Sequence, residues 1–473
     1  MFTLDRSADT PLFHQLTDAL RRDIDQRKLA IGSRVPSVRL MARQCGVSLI
    51  TVVNAYNRLV AEGYLQPRRA SGYYVSLPSR NLPPLASGSP MAQMQVDSEW
   101  LLSHVFADSG AQLLPGCGWL PEDWLEGEQI RHALATLARK TAGSMVRYGN
   151  PYGYLPLRQA LQLALHGRAI EVDAEQIVLT QGASQALNLC ARLFLKPGDT
   201  VLVDDPLYAN LVALLRIQGY RVIGVPRTLN GPDALQLEAL AALHRPRVFF
   251  TNTSLQNPTG TTTSIATAHR ILRAAENFDF RIVEDDIFAD LQTERGISLA
   301  ALDQLNRVTY IGSLSKSISP SLRVGFIACR RDLAREFAQQ KMLESLTSCE
   351  ISEKLAAIIL TEGRHRLSIE RLRGRCEQAQ RTVAAQLEQC GMQLFHRPSG
   401  GMFLWARFAA DIDTAQVAHL AAESALVLAP GRLFSSADTA SPWLRFNVAH
   451  TDHAQVYRFL EQVAGRADLL IGS

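Results

Sequence analysis

The chain lacks a long apolar run: nowhere do about 18 apolar residues follow one another, so no membrane-spanning helix is expected. It has only seven cysteines (45, 117, 190, 329, 349, 376 and 390) in 473 residues, with no Cys-x-x-Cys pair and no metal-ligand spacing to histidine. That excludes a disulfide framework and offers no metal site; the thiols read as reduced, mostly small core residues of a cytoplasmic protein. The opening Met1-Phe-Thr-Leu-Asp-Arg-Ser7 has neither a basic n-region nor an apolar h-region, so secretion is not expected. An excess of one charge is missing too, because 49 Lys and Arg against 45 Asp and Glu leave +4. A hydrophobic content of 47% and a charged content of 20% describe an ordinary globular protein, long enough for two or more domains.

The small net charge is unevenly placed. Residues 1–75 hold eleven Lys/Arg and six Asp/Glu, a balance of +5 that leaves −1 for the rest of a chain totalling +4. A basic head suits phosphate contacts, although five charges also describe a solvated face. Within it, Leu12, Leu16, Ala19, Leu20 and Ile24 recur at helical spacing after Pro11. Ser37 is placed to cap a short helix carrying Val38, Leu40, Met41 and Ala42, and Gly46 breaks it. Ser48 caps a third helix whose apolar stripe is Val52, Ala55, Tyr56, Leu59 and Val60. Tyr64–Pro67 and Gly72–Val75 then alternate as two short strands around the basic tip Arg68-Arg69-Ala70-Ser71.

Three helices and a basic two-stranded wing predict a winged helix-turn-helix, against the alternative of a small helical interaction domain. The polar and basic residues favour DNA: Arg39 leaves the second helix, Ser48 and Thr51 begin the third, and Arg68 and Arg69 tip the wing. The head resembles the GntR family through Gly32-Ser-Arg-Val-Pro-Ser37-x-Arg39, Gly46-Val-Ser48, Thr51-Val52, Ala55-Tyr56-x-x-Leu59, Glu62-Gly-Tyr-Leu65 and Gly72-Tyr-Tyr-Val75. That resemblance implies DNA contacts from Arg34, Ser37, Arg39, Ser48, Thr51 and the wing near Gly72. Positions 49, 50 and 53, where related heads often offer Arg or Asn, are Leu, Ile and Val here, so apolar contact with thymine methyls replaces a guanine fork as one open option.

Residues 76–111 hold Pro78, Pro83, Pro84 and Pro90 among small and polar residues and read as a semi-extended linker, with a short helix around Ser98–Phe106. From residue 112 strands and helices alternate. The apolar runs Ile177–Leu179, Val201–Val203, Arg221–Val225, Val248–Phe250, Ile282–Val283 and Val308–Ile311 predict a largely parallel sheet covered on both faces. This large part is expected to span about 140–330, with a smaller α+β subdomain over about 335–473.

The chemistry is expected where those strands end. Lys316, in Ser313-Leu-Ser-Lys316, follows Val308–Ile311, and Arg323 lies seven residues on. An amine flanked by hydroxyls and a guanidinium suits a phosphate-bearing aldehyde: the lysine forms a Schiff base while Ser and Arg hold the anion. Thr180-Gln-Gly-Ala183-Ser184 opens a helix and offers amides to a phosphate. Tyr208 offers an aromatic face, Asn257 in Asn-Pro-Thr-Gly260 an amide, and Asp285 at a strand end a partner for a protonated ring nitrogen. Each has an ordinary counterpart: a core tyrosine, a good turn, and solvated acids in Glu284-Asp285-Asp286.

Taken together the set resembles the fold type I aminotransferases, and with the GntR-like head it resembles the MocR subfamily of regulators. The resemblance implies pyridoxal 5'-phosphate joined to Lys316, Asp285 at its ring nitrogen, Tyr208 on its face, Asn257 at its phenolic oxygen, and Ala183, Ser184, Ser313 and Arg323 around its phosphate. It implies that Tyr148 crosses a homodimer interface and that Arg445, in Trp443-Leu-Arg445-Phe-Asn447, grips a carboxylate by bidentate pairing. One position departs from the pattern: Phe288 replaces a tyrosine whose hydroxyl helps hold the phenolic oxygen, which predicts poor transamination. The expectation is a cytoplasmic, homodimeric DNA-binding regulator answering to pyridoxal phosphate or to an amine or amino acid that condenses with it. The rivals are a working aminotransferase with an accessory head and a DNA-binding protein whose large domain no longer binds cofactor.

Overall fold

A computed structural model describes residues 11–25, 29, 33–61, 64–68, 72–75, 96–107, 112–139, 146–293, 296, 298–437 and 439–465. The chain divides into two compact units, Met1–Met94 and Gln95–Ser473. Each is built around its own apolar interior.

In the smaller unit, helices α1 (Leu12–Asp25), α2 (Val38–Cys45) and α3 (Leu49–Ala61) precede the antiparallel strands β1 (Leu65–Arg68) and β2 (Gly72–Val75). Leu16, Leu20 and Ile24 of α1 pack with Met41 and Ala42 of α2 and with Val52, Ala55, Tyr56 and Leu59 of α3. These are the residues helical spacing put on one face. Leu40 departs from its expected place in the core and is 48% exposed. The Ser37 hydroxyl accepts from Leu40 N at 3.3 Å, and α2 ends on Gly46 at φ 64. Ser48 Oγ likewise accepts from Thr51 N at 3.1 Å. The wing is wider than two strands, since Val35 N donates to Tyr73 O and Val75 N to Ser33 O. Arg68 pairs with Gly72 inside the ladder, one residue beyond the strand expected from the sequence.

The larger unit carries an eight-stranded sheet, ordered β3-β10-β9-β8-β7-β4-β5-β6. In chain order its strands are β3 (Ile177–Thr180), β4 (Thr200–Asp205), β5 (Arg221–Thr228), β6 (Gly231–Pro232), β7 (Val248–Thr251), β8 (Arg281–Asp285), β9 (Val308–Ser313) and β10 (Gly325–Ala328). Neighbours among β5, β4, β7, β8 and β9 run parallel, whereas β10 is antiparallel to both β3 and β9. Successive residues face opposite layers: Phe249, Ile282 and Tyr310 enter one cluster, and Phe250, Val283 and Ile311 the other. A second sheet, β11 (Met392–Leu394), β12 (Phe403–Phe408), β13 (Ala429–Pro430) and β14 (Trp443–Asn447), is antiparallel in the order β11-β12-β14-β13.

Part of the stretch read as a linker folds with this unit. Helix Ser98–Val105 is capped by Asp97, and Val96, Trp100, Leu101 and Val105 are buried against Leu404, Leu428 and Phe446 of the second sheet's core. Among the described residues no helix is long and apolar enough to cross a membrane.

Candidate functional site

The carboxyl ends of the parallel strands bring together most of the residues singled out above. Asp285 closes β8, Ser313 closes β9, and Lys316 follows three residues later. From the second sheet, β14 contributes Arg445. Lys316 Nζ donates to Gly118 O at 2.6 Å and Arg445 Nη2 to Gly116 O at 2.6 Å, so both cations reach carbonyls of one short segment. Withdrawal from water pushes the Lys316 ammonium down to about 8, reinforced by the Arg445 and Arg323 guanidiniums and opposed by Cys117 and Asp285.

Asp285 is 7% exposed, and burial pushes its carboxyl up to about 7 against a long donation from Ile287 N at 3.4 Å. Its neighbours are buried too. Glu284 accepts from Leu299 N and Ala300 N, and Asp286 accepts from the Tyr310 hydroxyl at 3.0 Å. The solvated-acid alternative therefore fails for all three, but Glu284 and Asp286 have structural partners that Asp285 lacks.

Arg445 is the most demanding group. Its guanidinium lies between the Phe403 and Phe434 rings, 4.6 and 4.8 Å from their centroids, with Nε buried and unbonded. Burial pushes it down to about 10, opposed by Cys117 and Tyr208 rather than by a carboxylate. Nη1 donates to Asn257 Oδ1 at 2.9 Å, which ties the turn after β7 to β14. A buried cation held by a carbonyl and an amide oxygen is a receptor for an anion.

Ala183 and Ser184 lie in the first turn of helix Gly182–Phe194. Gly182 has φ +78, and a Cβ there would stand 2.6 Å from Arg323 Nη2, so the guanidinium rests against the helix N-terminus. Ser313 Oγ accepts from Ser315 N at 3.2 Å, and the Ser315 hydroxyl is buried without a partner. Tyr208 accepts from Asn210 Nδ2 at 3.0 Å and bonds Ser184; burial raises its phenol. Tyr148 is not brought into this cluster and is 83% exposed. Phe288 is buried, edge-on to Phe403 with ring centroids 5.5 Å apart.

The donor set fits pyridoxal 5'-phosphate on structural grounds. It supplies an amine made easier to deprotonate, a buried carboxylate that Lys316 only partly offsets, a cradle of helix amides beside a guanidinium, and a spare buried hydroxyl. The segment Gly116-Cys117-Gly118 was not anticipated, because it acts through backbone carbonyls. Its one sequence signal is Gly116, where a Cβ would meet Ala429 N at 2.4 Å.

In the head, Arg34, Ser37, Arg39 and Ser48 are exposed and Thr51 is half-buried. Arg68 lies at the end of β1 opposite Gly72; Arg69 is outside the described residues.

The comparisons agree with both units. Residues 12–75 match the model of bacterial regulatory proteins of the gntR family, and residues 120–463 match that of aminotransferase class I and II. The chain is 27% identical to the HTH-type transcriptional regulator YdcR of Escherichia coli, over 92% of this chain and 95% of that one. It is 28% identical to the probable rhizopine catabolism regulatory protein MocR of Rhizobium meliloti, over 86% and 84%. The crystal structure of LysN, the alpha-aminoadipate aminotransferase of Thermus thermophilus complexed with N-(5'-phosphopyridoxyl)-L-leucine, superposes with a TM-score of 0.71 at 26% identity, covering 79% of this chain and 94% of that one.

Proposed function

Because the chain is a MocR-type regulator, a GntR-family DNA-binding head joined to a member of the class I and II aminotransferase family, we propose that its larger unit holds pyridoxal 5'-phosphate on Lys316 and that an amino compound entering there sets the head's affinity for an operator. The observation that carries this is Arg445, a buried guanidinium without a carboxylate, beside a lysine pushed down to about 8.

When bound, pyridoxal 5'-phosphate supplies an aldehyde that condenses with primary amines and a ring that withdraws electrons. The chain's residues do the rest. With a pKa of about 8, roughly a tenth of the Lys316 side chains are neutral amines at pH 7. Asp285 offers its charge to a ring N–H, which would relieve the cost of its burial. Tyr208 would stack on the ring, and Asn257, whose Oδ1 accepts from Arg445, would have its amide nitrogen left to donate to the phenolic oxygen. Ala183, Ser184, Ser313 and Arg323 would hold the phosphate. Arg445 takes the carboxylate of an amino-acid effector and so selects amino acids over simple amines. The working unit is a cytoplasmic homodimer in which the exposed Tyr148 reaches the partner's site.

A ligand alters DNA affinity only by binding two conformations unequally. Operator binding by the purified protein, titrated with pyridoxal phosphate and then with amino acids, tests the proposal; affinity indifferent to all of them would end its sensing half. Phe288 offers no hydroxyl, so transamination is expected to be slow. A kcat in the ordinary range of about 1–1,000 per second would instead favour an enzyme with an accessory head.

A further inference from the structure

Helix α3 presents two chemistries on its outward side and no guanidinium in its first two turns. Val52, Ala55, Tyr56 and Leu59 form its buried stripe. Opposite them, at helical spacing, lie Ile50, Asn54 and Asn57, all exposed, with Val53 half-buried beside them. Ile50 is 72% exposed and Leu49 is 50% exposed, while Leu40 of α2 is 48% exposed. Three large apolar side chains of α2 and α3 therefore face solvent, in a head with a basic balance of +5.

Arg39 and Arg43, on α2 with Leu40, are exposed too, and Leu49 and Ile50 form an apolar tip at the start of α3. Apolar side chains in a cationic surround do not suit a protein groove alone, and they suit a polyanion that carries methyl groups. Duplex DNA provides both: phosphates for the arginines, and thymine C5-methyls in the major groove for the tip. The first residues of a recognition helix are those that reach base edges. Guanine is read by an Arg or Lys fork, and positions 49, 50, 53, 54 and 57 are Leu, Ile, Val, Asn and Asn. Asn54, one turn beyond Ile50 on the same ridge, has the amide that pairs with adenine N6 and N7.

The geometry points to a recognition helix that reads A·T pairs by two routes, with Ile50 and Leu49 against thymine methyls and Asn54 against an adenine edge. This rests on the DNA-binding role of the head and specifies what that head recognises.

The test begins with full-length protein selecting sites from a random duplex DNA library. The selected site is then remade with deoxyuridine in place of thymine, which removes only the methyl. The expected half-site has A·T pairs at its core, and each contacted methyl lost weakens binding about fourfold. Ile50→Ala should narrow the gap between thymine and uracil sites by about the loss of one methyl contact, and Asn54→Ala should lose about tenfold on the selected site. Both residues are exposed, and the uracil arm leaves the protein untouched. A G·C core, or a wild-type protein indifferent to uracil, overturns the inference while leaving DNA binding intact. Failure to enrich any sequence overturns DNA reading itself, and this inference with it.

Discussion

Arg445 Nη1 and Asn257 Oδ1 are 2.9 Å apart, so a strand of the second sheet and a loop of the large sheet orient each other at the site. Arg445 keeps its buried Nε unbonded.

On the proposed reading Arg445 discriminates among effectors. Arg445→Gln should weaken the response to amino acids by about thirtyfold, the lower end of what losing a buried charge partner costs. Simple amines, which bring no carboxylate, should act on wild type and variant alike. Calorimetric titration with an amino acid and its decarboxylated analogue checks this. Equal losses for both ligands would assign Arg445 a structural role.

Asp285 should leave a signature in stability against pH. Its carboxyl moves from 3.8 to about 7, so between those values the folded chain holds a proton that the unfolded chain has released. Stability of the cofactor-free protein therefore falls as pH rises through that window, by an amount on the order of a few kcal/mol. Asp285→Asn cannot ionise and should lack that decline, gaining a few degrees over wild type between pH 5 and pH 8. With pyridoxal phosphate bound the order should reverse, because the carboxylate then has a cation to face. Parallel thermal profiles for the two cofactor-free proteins would contradict this account of its burial.

One pair of variants separates the capping role of Ser48 from its proposed contact with DNA. Its hydroxyl caps α3 through Thr51 N, so Ser48→Ala should destabilise the head by about 1 kcal/mol. Ser48→Asp retains a capping oxygen and should keep that stability, yet its charge should repel a phosphate and weaken DNA binding. Thermal melts alongside operator titrations give both numbers. Unchanged operator affinity in Ser48→Asp would leave Ser48 as a cap alone.

Basic residues of the head that neutralise phosphates should make operator binding steeply sensitive to salt. A slope of about −4 or steeper in log affinity against log salt is expected, at about −0.9 per phosphate contacted. A flat line would remove DNA as the partner.

Much of this was legible because period and position carry physical meaning. The α3 stripe and the alternation in β7, β8 and β9 follow from residues that must face a core. Lys316 and Asp285 were legible because parallel strands deliver reactive groups at their carboxyl ends. Strand β10 escaped notice: four residues after the Arg323 motif leave too short a run to show a period, and its antiparallel direction is fixed only by β3 and β9. The carbonyls of Gly116 and Gly118 have no residue-type signature beyond Gly116 itself, where a Cβ would meet Ala429 N at 2.4 Å. Glu284 and Asp286 looked like surface acids because their donors, Leu299 N, Ala300 N and the Tyr310 hydroxyl, are distant in sequence. Tyr148 is 83% exposed and lies apart from the residues that the strand ends bring together.

The most direct measurement is borohydride reduction of the protein loaded with pyridoxal phosphate, followed by peptide mass mapping. The account predicts a phosphopyridoxyl group on Lys316 alone, and loss of the protein's visible absorbance in Lys316→Ala. An unmodified Lys316 in a fully reduced, cofactor-bearing protein would contradict it.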